Sequence, residues 1–254
     1  MEDLLKIFIL GIIQGITEFL PISSHSHLII FERFLNFNNN NEVINLAFHL
    51  GSLLSVLVFF SKELLALVQN RNIIINLIIG TIPVVIIGFI FHYFGLIKIL
   101  SNPLIIGSTT ILFAFLLFFA DKKDQNNTIE LNLNMKDSLI IGLYQTIALI
   151  PGVSRSGITI TAARFLNYTR YDAAKFSFLL SIPTTGAACF LGVLDIIKIG
   201  SAELTLNAFV AFLSSFIFAL ITLKLFMGFL QKFSFNVFVY YRVIFGIFIF
   251  IYFI

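Results

Sequence analysis

Apolar windows of about 20 residues, long enough for a helix to cross the hydrocarbon core of a bilayer, recur near 3–20, 44–62, 73–94, 103–120, 174–197, 206–230 and 236–254. A spanning helix needs a window of this kind. Charged residues make up only 11% of the chain, against about 25% in a typical soluble domain. The expected class is therefore all-α, a polytopic membrane protein surrounded by membrane lipids. Trp is absent, so any interfacial aromatic belt must use Tyr and Phe. The net charge of +3 is too small to imply a nucleic-acid partner. Cys189 stands alone in an apolar run, has no intrachain disulfide partner, and reads as a small core residue. The stretch Leu4–Ile13 lacks a basic n-region and a small-residue cleavage site, so it reads as a retained helix rather than a signal peptide.

The clearest polar break, residues 121–137, reads as a solvated loop that divides the chain into halves of about 1–120 and 138–254. Shorter breaks lie at 35–42, 62–72 and 198–205. Basic residues are spread so evenly among these loops that the sequence alone leaves the orientation open.

Two segments do not fit as simple spans. "GIIQGITEFLPISS" from Gly11 and "GLYQTIALIPGVSRS" from Gly142 share a Gly, a Gln three residues on, a short apolar run, a Pro and a Ser pair. Paired Pro- or Gly-interrupted hydrophobic segments in corresponding halves mark binding sites near the membrane midplane in inverted-repeat folds. The expectation is two inverted-topology repeats, each with a re-entrant helix–loop–helix hairpin, meeting tip to tip. Two Pro-kinked spans with chance similarity are the alternative.

The first tip carries Gln14 and Glu18, four apart and thus on one helical face. Glu18 offers a carboxylate suited to a hard cation, and Gln14 a further oxygen. Pro21 ends or bends that helix, and Ser23 is placed to cap the next one. Ser24 and His27 are then three apart and face the same way, a hydroxyl beside an imidazole. His25 points about 100° away from Ser24. At the second tip Arg155 needs an anionic partner or water at membrane depth, and its planar fork suits phosphate oxygens. Gly152, Gly157, Ser154 and Ser156 free backbone N–H groups at a helix start, a ready anion site. A carboxylate-held metal, a Ser/His pair, an arginine and an N–H cradle together suit phosphoryl transfer.

"QGITEFLPISSHSH" and "PGVSRSG" resemble the two signature regions of the bacterial undecaprenyl-diphosphatase family, the bacitracin-resistance type. The first region is matched by Gln14, Glu18, Leu20-Pro21-Ile22-Ser23-Ser24 and His27, the second in full by Pro151–Gly157. One departure stands out: His25-Ser26 replaces the family's usual Thr-Gly, although the Ser24-to-His27 spacing is kept. The resemblance implies a multi-pass enzyme of the bacterial inner (plasma) membrane that hydrolyses undecaprenyl diphosphate to the monophosphate and inorganic phosphate. That reaction recycles the lipid carrier for peptidoglycan synthesis and gives bacitracin resistance. It further implies a divalent cation, Mg²⁺ or Ca²⁺, near Glu18 and Gln14, and a polyprenyl diphosphate lipid as partner. The site would face the outside, and a homodimer is compatible with the fold. Glu18, Ser24, His27 and Arg155 take the catalytic roles, with Ser23, Gly152, Ser154, Arg155, Ser156 and Gly157 on the phosphates. Whether Ser24 attacks or His27 activates a water is left open.

The rival from another class is an inverted-repeat transporter or flippase of an anionic isoprenyl phosphate lipid, which needs the paired tips but not the Ser24/His27 pair. Phosphatidic-acid-type phosphatases need a His six residues after the arginine, where Thr161 stands, and an Arg-Pro pair that is absent. A rhomboid-type protease needs Gly-x-Ser-Gly, and the chain reads Ser154-Arg155-Ser156-Gly157.

Overall fold

The computed structural model describes residues 2–37, 42–67, 71–199 and 206–253. The expected breaks at 35–42, 62–72 and 198–205 lie partly or almost wholly outside this set. The described residues form helices α1 (Glu2–Thr17), α2 (Ser24–Phe34), α3 (Glu42–Phe59), α4 (Ser61–Leu67), α5 (Arg71–Tyr93), α6 (Leu96–Leu100) and α7 (Pro103–Asp121). They continue with α8 (Ile129–Asn132), α9 (Met135–Thr146), a 3₁₀ turn (Ile147–Leu149), α10 (Arg155–Phe165), α11 (Arg170–Ile199), α12 (Leu206–Leu230) and α13 (Asn236–Phe253). Among them α3, α5, α7, α11, α12 and α13 are long and apolar enough to cross a membrane, so the chain is an all-α, multi-pass membrane protein.

The apolar window near 3–20 does not form a helix of spanning length. It ends at Thr17 after 16 residues, and the chain breaks at 18–23 before α2 begins. A second break at 151–154 separates α9 and its 3₁₀ turn from α10. The four helices beside these breaks are short (16, 11, 12 and 11 residues), and Pro21 and Pro151 lie in the breaks, where a proline keeps α1 and the turn after α9 from continuing.

Small residues set the close crossings, as expected where lipid supplies no hydrophobic drive between helices. α1 packs along α12, where a Cβ on Gly15 would come 2.7 Å from the Ser215 carbonyl. α9 packs along α5 in the same manner, and a Cβ on Gly142 would collide with the carbonyl of Gly80. Overpacking of this kind costs roughly 1–3 kcal/mol. Gly142→Val is therefore expected to lower the detergent-solubilised melting temperature by several degrees, checked by scanning fluorimetry against wild type, whereas Gly228→Ala, with nothing within 4 Å of the added Cβ, leaves it unchanged.

Polar contacts sort the helix ends into two faces. At one, His92 near the end of α5 meets Asp195 near the end of α11 at 3.4 Å. At the other, the Asp121 carboxylate accepts from Arg170 Nε and Nη2 at 2.7 and 3.1 Å and from the Phe235 N–H at 3.1 Å. This ties the end of α7 to the starts of α11 and α13. The fully buried Arg164 donates to the carbonyls of Asp121, Lys123, Asp124 and Tyr168, supplying donors to backbone at and just beyond the ends of α7 and α10. Tyr168 completes this end by donating to Asp137 at 2.8 Å.

Most of the 121–137 segment is exposed, as a solvated loop would be, but it is anchored at two points. Asn127 pairs with the α10–α11 connection through Asn127 N–H to Asn167 O and Thr169 N–H to Asn127 O, both 3.0 Å. Ile129 is buried. The polar composition of the segment reflects hydrogen bonding to neighbouring backbone as well as contact with water.

Candidate functional site

The two breaks lie against each other in the interior. At the first, Glu18 N–H still donates to Gln14 O at 2.9 Å, so the α1 spiral carries one residue past its end and keeps both side chains on one side. Gln14 Nε2 donates to Glu18 Oε2 at 3.0 Å, and Ser24 Oγ donates to the same oxygen at 2.7 Å. The other carboxylate oxygen, Oε1, accepts from Arg155 Nη2 at 2.9 Å, joining residues 137 apart in sequence. One carboxylate thus gathers Gln14 and Ser24 from the first tip and Arg155 from the second. Arg155 Nη1 and Gln14 Oε1 are buried and have no protein partner among the described residues.

The tips share an unusual backbone. Ser23 has φ 73° and ψ 94°, Ser154 has φ 72° and ψ 116°, and each immediately precedes its helix. A non-glycine residue in such a conformation stores of order 1–3 kcal/mol and persists only where its surroundings hold it. Ser154 is held by its own cap: Oγ accepts from Gly157 N–H at 3.1 Å. Ser23 is held differently, since its Oγ pairs with Ser26 Oγ at 2.9 Å and its carbonyl accepts from His27 Nδ1 at 2.7 Å. The expected Ser23 side-chain cap is absent. Gly152 has φ 93°, and a Cβ there would come within 2.6 Å of the Ile106 carbonyl, so only glycine fits this turn.

The expected pairing of Ser24 with His27 is not found. His27 is buried, its Nε2 bonds the Tyr241 hydroxyl at 2.6 Å, and its ring stacks on Phe245 at 4.1 Å between centroids. The two positions differ by about 60° on a helical wheel, and the packing of α13 claims the His27 side. Ser24 finds its basic neighbour in Glu18 instead. His25, which the helical wheel turns away from Ser24, lines the cavity described next. Ser156 and Gly157 are also placed otherwise than expected. Ser156 Oγ donates to Leu20 O at 3.0 Å, binding one tip to the other, and Gly157 serves the Ser154 cap.

A cavity of about 550 Å³ opens beside Glu18 and runs to the face that carries Glu42, His92 and Asp195. Its inner end is polar, with Glu18, Ser23, Ser24, His25, His49, Gln145, Gly152, Ser154 and Arg155. Its flank toward α5 and α11 is apolar, with Val84, Val85, Phe89, Ala187, Ala188 and Leu191. A polar floor with a lipid-compatible wall suits an anionic head group on a hydrocarbon chain. The first two amides of α10, those of Arg155 and Ser156, lack intrahelical acceptors and add positive potential at this floor.

Two functional neighbours escaped the sequence reading. His49, on α3, meets Gln14 Nε2 through Nδ1 at 3.3 Å. Arg242, on α13, is fully buried and donates to Thr110 O (3.1 Å), Pro21 O (3.2 Å), Gly152 O (3.0 Å) and Val153 O (3.1 Å), clamping both tips to α7. A lone arginine inside an otherwise apolar span was its available signal.

Residues 7–248 match the family described as "Bacitracin resistance protein BacA". The chain is 47% identical over 251 residues to the undecaprenyl-diphosphatase of Pelagibacter ubique (strain HTCC1062), covering 98% of each chain. It is 44% identical over 246 residues to the undecaprenyl-diphosphatase of Thermodesulfovibrio yellowstonii, covering 95% of this chain and 94% of that one. The undecaprenyl-diphosphatase of Elusimicrobium minutum is 38% identical over 252 residues, with 96% and 95% covered. With two interlocked tips matching the signature regions and similarity running nearly end to end, the chain belongs to the bacitracin resistance protein BacA family.

Proposed function

We infer that this protein hydrolyses undecaprenyl diphosphate to undecaprenyl phosphate and inorganic phosphate, and so recycles the lipid carrier used in peptidoglycan synthesis. The observation that carries the reading is the Glu18 carboxylate holding Ser24 and Arg155 at 2.7 and 2.9 Å beneath a cavity with one apolar wall. A carrier that only moved an anionic lipid would not require this hydroxyl–carboxylate pair.

The chemistry follows from these contacts. Arg155 arrives with one N–H group on Glu18 and Nη1 unpartnered, so an incoming diphosphate takes Nη1 first and draws the guanidinium toward itself. That weakens its hold on Glu18 and leaves the carboxylate more basic toward Ser24. Ser24 Oγ then attacks the terminal phosphorus while its proton passes to Glu18. The bond from that phosphorus to the bridging oxygen breaks, and undecaprenyl phosphate leaves. Water hydrolyses the phosphoserine to release inorganic phosphate. Ser23, Ser154 and the first amides of α10 line the phosphate position. Gly152 lets the second tip approach it. His27, Ser156 and Gly157 hold the tips in shape.

The donor set fits a divalent cation, Mg²⁺ or Ca²⁺, shared with the substrate. Glu18 supplies one carboxylate, and Gln14 Oε1 is a buried oxygen without a partner among the described residues. No cluster of three or more acidic, His or Cys side chains exists among them to form an all-protein cage. Glu18 would hold such a cation, and Gln14 Oε1 would join it only if the amide turned, since its nitrogen faces Glu18 here. Bound there, it would neutralise charge on the diphosphate.

The two halves are proposed to be inverted repeats with re-entrant tips. The matched torsions of Ser23 and Ser154, the likeness of the α1–α12 and α9–α5 packing, and the mutual approach of Gly107 and Gly246 where α7 crosses α13 support this. The cavity is proposed to face the outside of the bacterial inner membrane. Lys62, Arg71, Lys122, Lys123, Lys136, Arg170 and Lys232 gather at the opposite face, which the positive-inside rule makes cytoplasmic.

In detergent, wild type is expected to release phosphate from undecaprenyl or farnesyl diphosphate, to stop when divalent cations are chelated, and to lose about a thousandfold or more in Arg155→Ala. Folded wild type that releases no phosphate in any divalent metal overturns the reading.

A further inference from the structure

The hydrogen bonds at Glu18 extend one residue further than the reaction above uses. An ionised carboxylate oxygen only accepts, so the Gln14 atom 3.0 Å from Glu18 Oε2 is the amide nitrogen, and the amide orientation is settled. The second hydrogen of that nitrogen is available to His49 Nδ1, 3.3 Å away. An N–H facing a ring nitrogen requires a lone pair there, so the imidazole proton resides on Nε2. His49 lines the cavity together with Ser24 and Arg155, and no hydrogen bond engages its Nε2 among the described residues.

We propose that His49 is a further catalytic residue, whose Nε2–H donates to a phosphate oxygen of the bound diphosphate, in a tautomer set by the Glu18–Gln14 pair. The inference rests on the diphosphatase reading for its ligand, but the tautomer stands on geometry alone. Three elements then converge on one head group: Arg155 from the second tip, Ser24 from the first, and His49 from α3, a spanning helix rather than a tip. Gln14 acquires a second task. As an amide it donates to Nδ1, whereas a carboxylate at this position accepts from Nδ1–H and reverses the ring.

The test joins spectroscopy to kinetics. Protein labelled with ¹⁵N-histidine is compared with His49→Gln to identify the His49 resonances among the four histidines. Wild type is expected to show an unprotonated Nδ1 and a protonated Nε2, Gln14→Glu the reverse, and a methylene diphosphonate probe is expected to shift Nε2 alone. His49→Leu is expected to lower kcat/KM for farnesyl diphosphate by on the order of tenfold to a hundredfold, the worth of one hydrogen bond to a charged group. His49→Gln, which keeps an N–H donor, recovers most of it. A protonated Nδ1 in wild type, or His49→Leu with undiminished kcat/KM, overturns the inference while leaving the diphosphatase reading intact. Wild type without phosphate release overturns the diphosphatase reading and takes the ligand from His49 with it, even where the tautomer is found as expected, so the two failures are distinguishable.

Discussion

Glu18→Gln is expected to lower kcat for phosphate release by about a thousandfold, within the range general-base removal gives. The amide has almost the same shape as the carboxylate, so the loss isolates charge and basicity. A neutral group at 18 cannot take the Ser24 proton, and its NH2 turns a donor toward groups that themselves donate, leaving one carbonyl oxygen to accept from Gln14, Ser24 and Arg155. The variant also leaves Arg155 without its anionic partner, which costs stability at a buried position. Activity is therefore normalised to folded protein measured by size-exclusion chromatography and melting. Residual activity within tenfold of wild type would remove Glu18 from the reaction and return the role of base to another group.

Arg242→Met is expected to be the most destabilising single change in the site region. Arg242 is fully buried, and its five N–H groups reach four backbone carbonyls on three separate segments. Methionine fills much of the volume but satisfies none of them; Pro21 O and Val153 O then lose the donor they have here, and each buried acceptor left without one costs about 1–3 kcal/mol. A total loss of roughly 4 kcal/mol or more follows from that range, together with loss of activity as the two tips drift apart. Arg242→Lys, a point charge that cannot fork across four acceptors, is expected to fall between. Unfolding in detergent monitored by scanning fluorimetry reads both. An Arg242→Met protein that melts with wild type would show the tips to be held by α1, α9 and their neighbours instead.

Much of this arrangement was legible before any coordinates. The apolar windows located the six long helices because a bilayer imposes a length on every span. The Pro and Ser spacing located both breaks between helices, and the i, i+4 spacing placed Gln14 on Glu18. What failed did so for a specific reason: helical periodicity orients a side chain relative to its own helix and says nothing about which neighbour occupies that side. Ser24 and His27 share a side of α2, but Glu18 lies against one and Tyr241 with Phe245 against the other. His49 and Arg242 were missed because each acts on a tip more than 30 residues away in sequence. Arg242 was accessible to the same reasoning that singled out Arg155, since both are cations stranded among apolar residues. The polar loop at 121–137 is largely exposed, but its composition gave no sign that Asn127 would bond the backbone of the α10–α11 connection, because asparagine reads alike in water and on backbone.

The Arg242 clamp carries a consequence for how the protein is made. Its bond to the Pro21 carbonyl links positions 221 residues apart, so the first tip leaves the ribosome long before the residue that secures it exists. Until α13 is inserted, the carbonyls of Pro21, Gly152 and Val153 lack their guanidinium, and the reacting groups have no fixed separation. A half-synthesised chain therefore holds the charges of the site without its geometry. Competence comes late and at one stroke, when the last described helix enters the membrane, and a nascent chain stalled before that point would occupy an insertion site without turning over a single lipid.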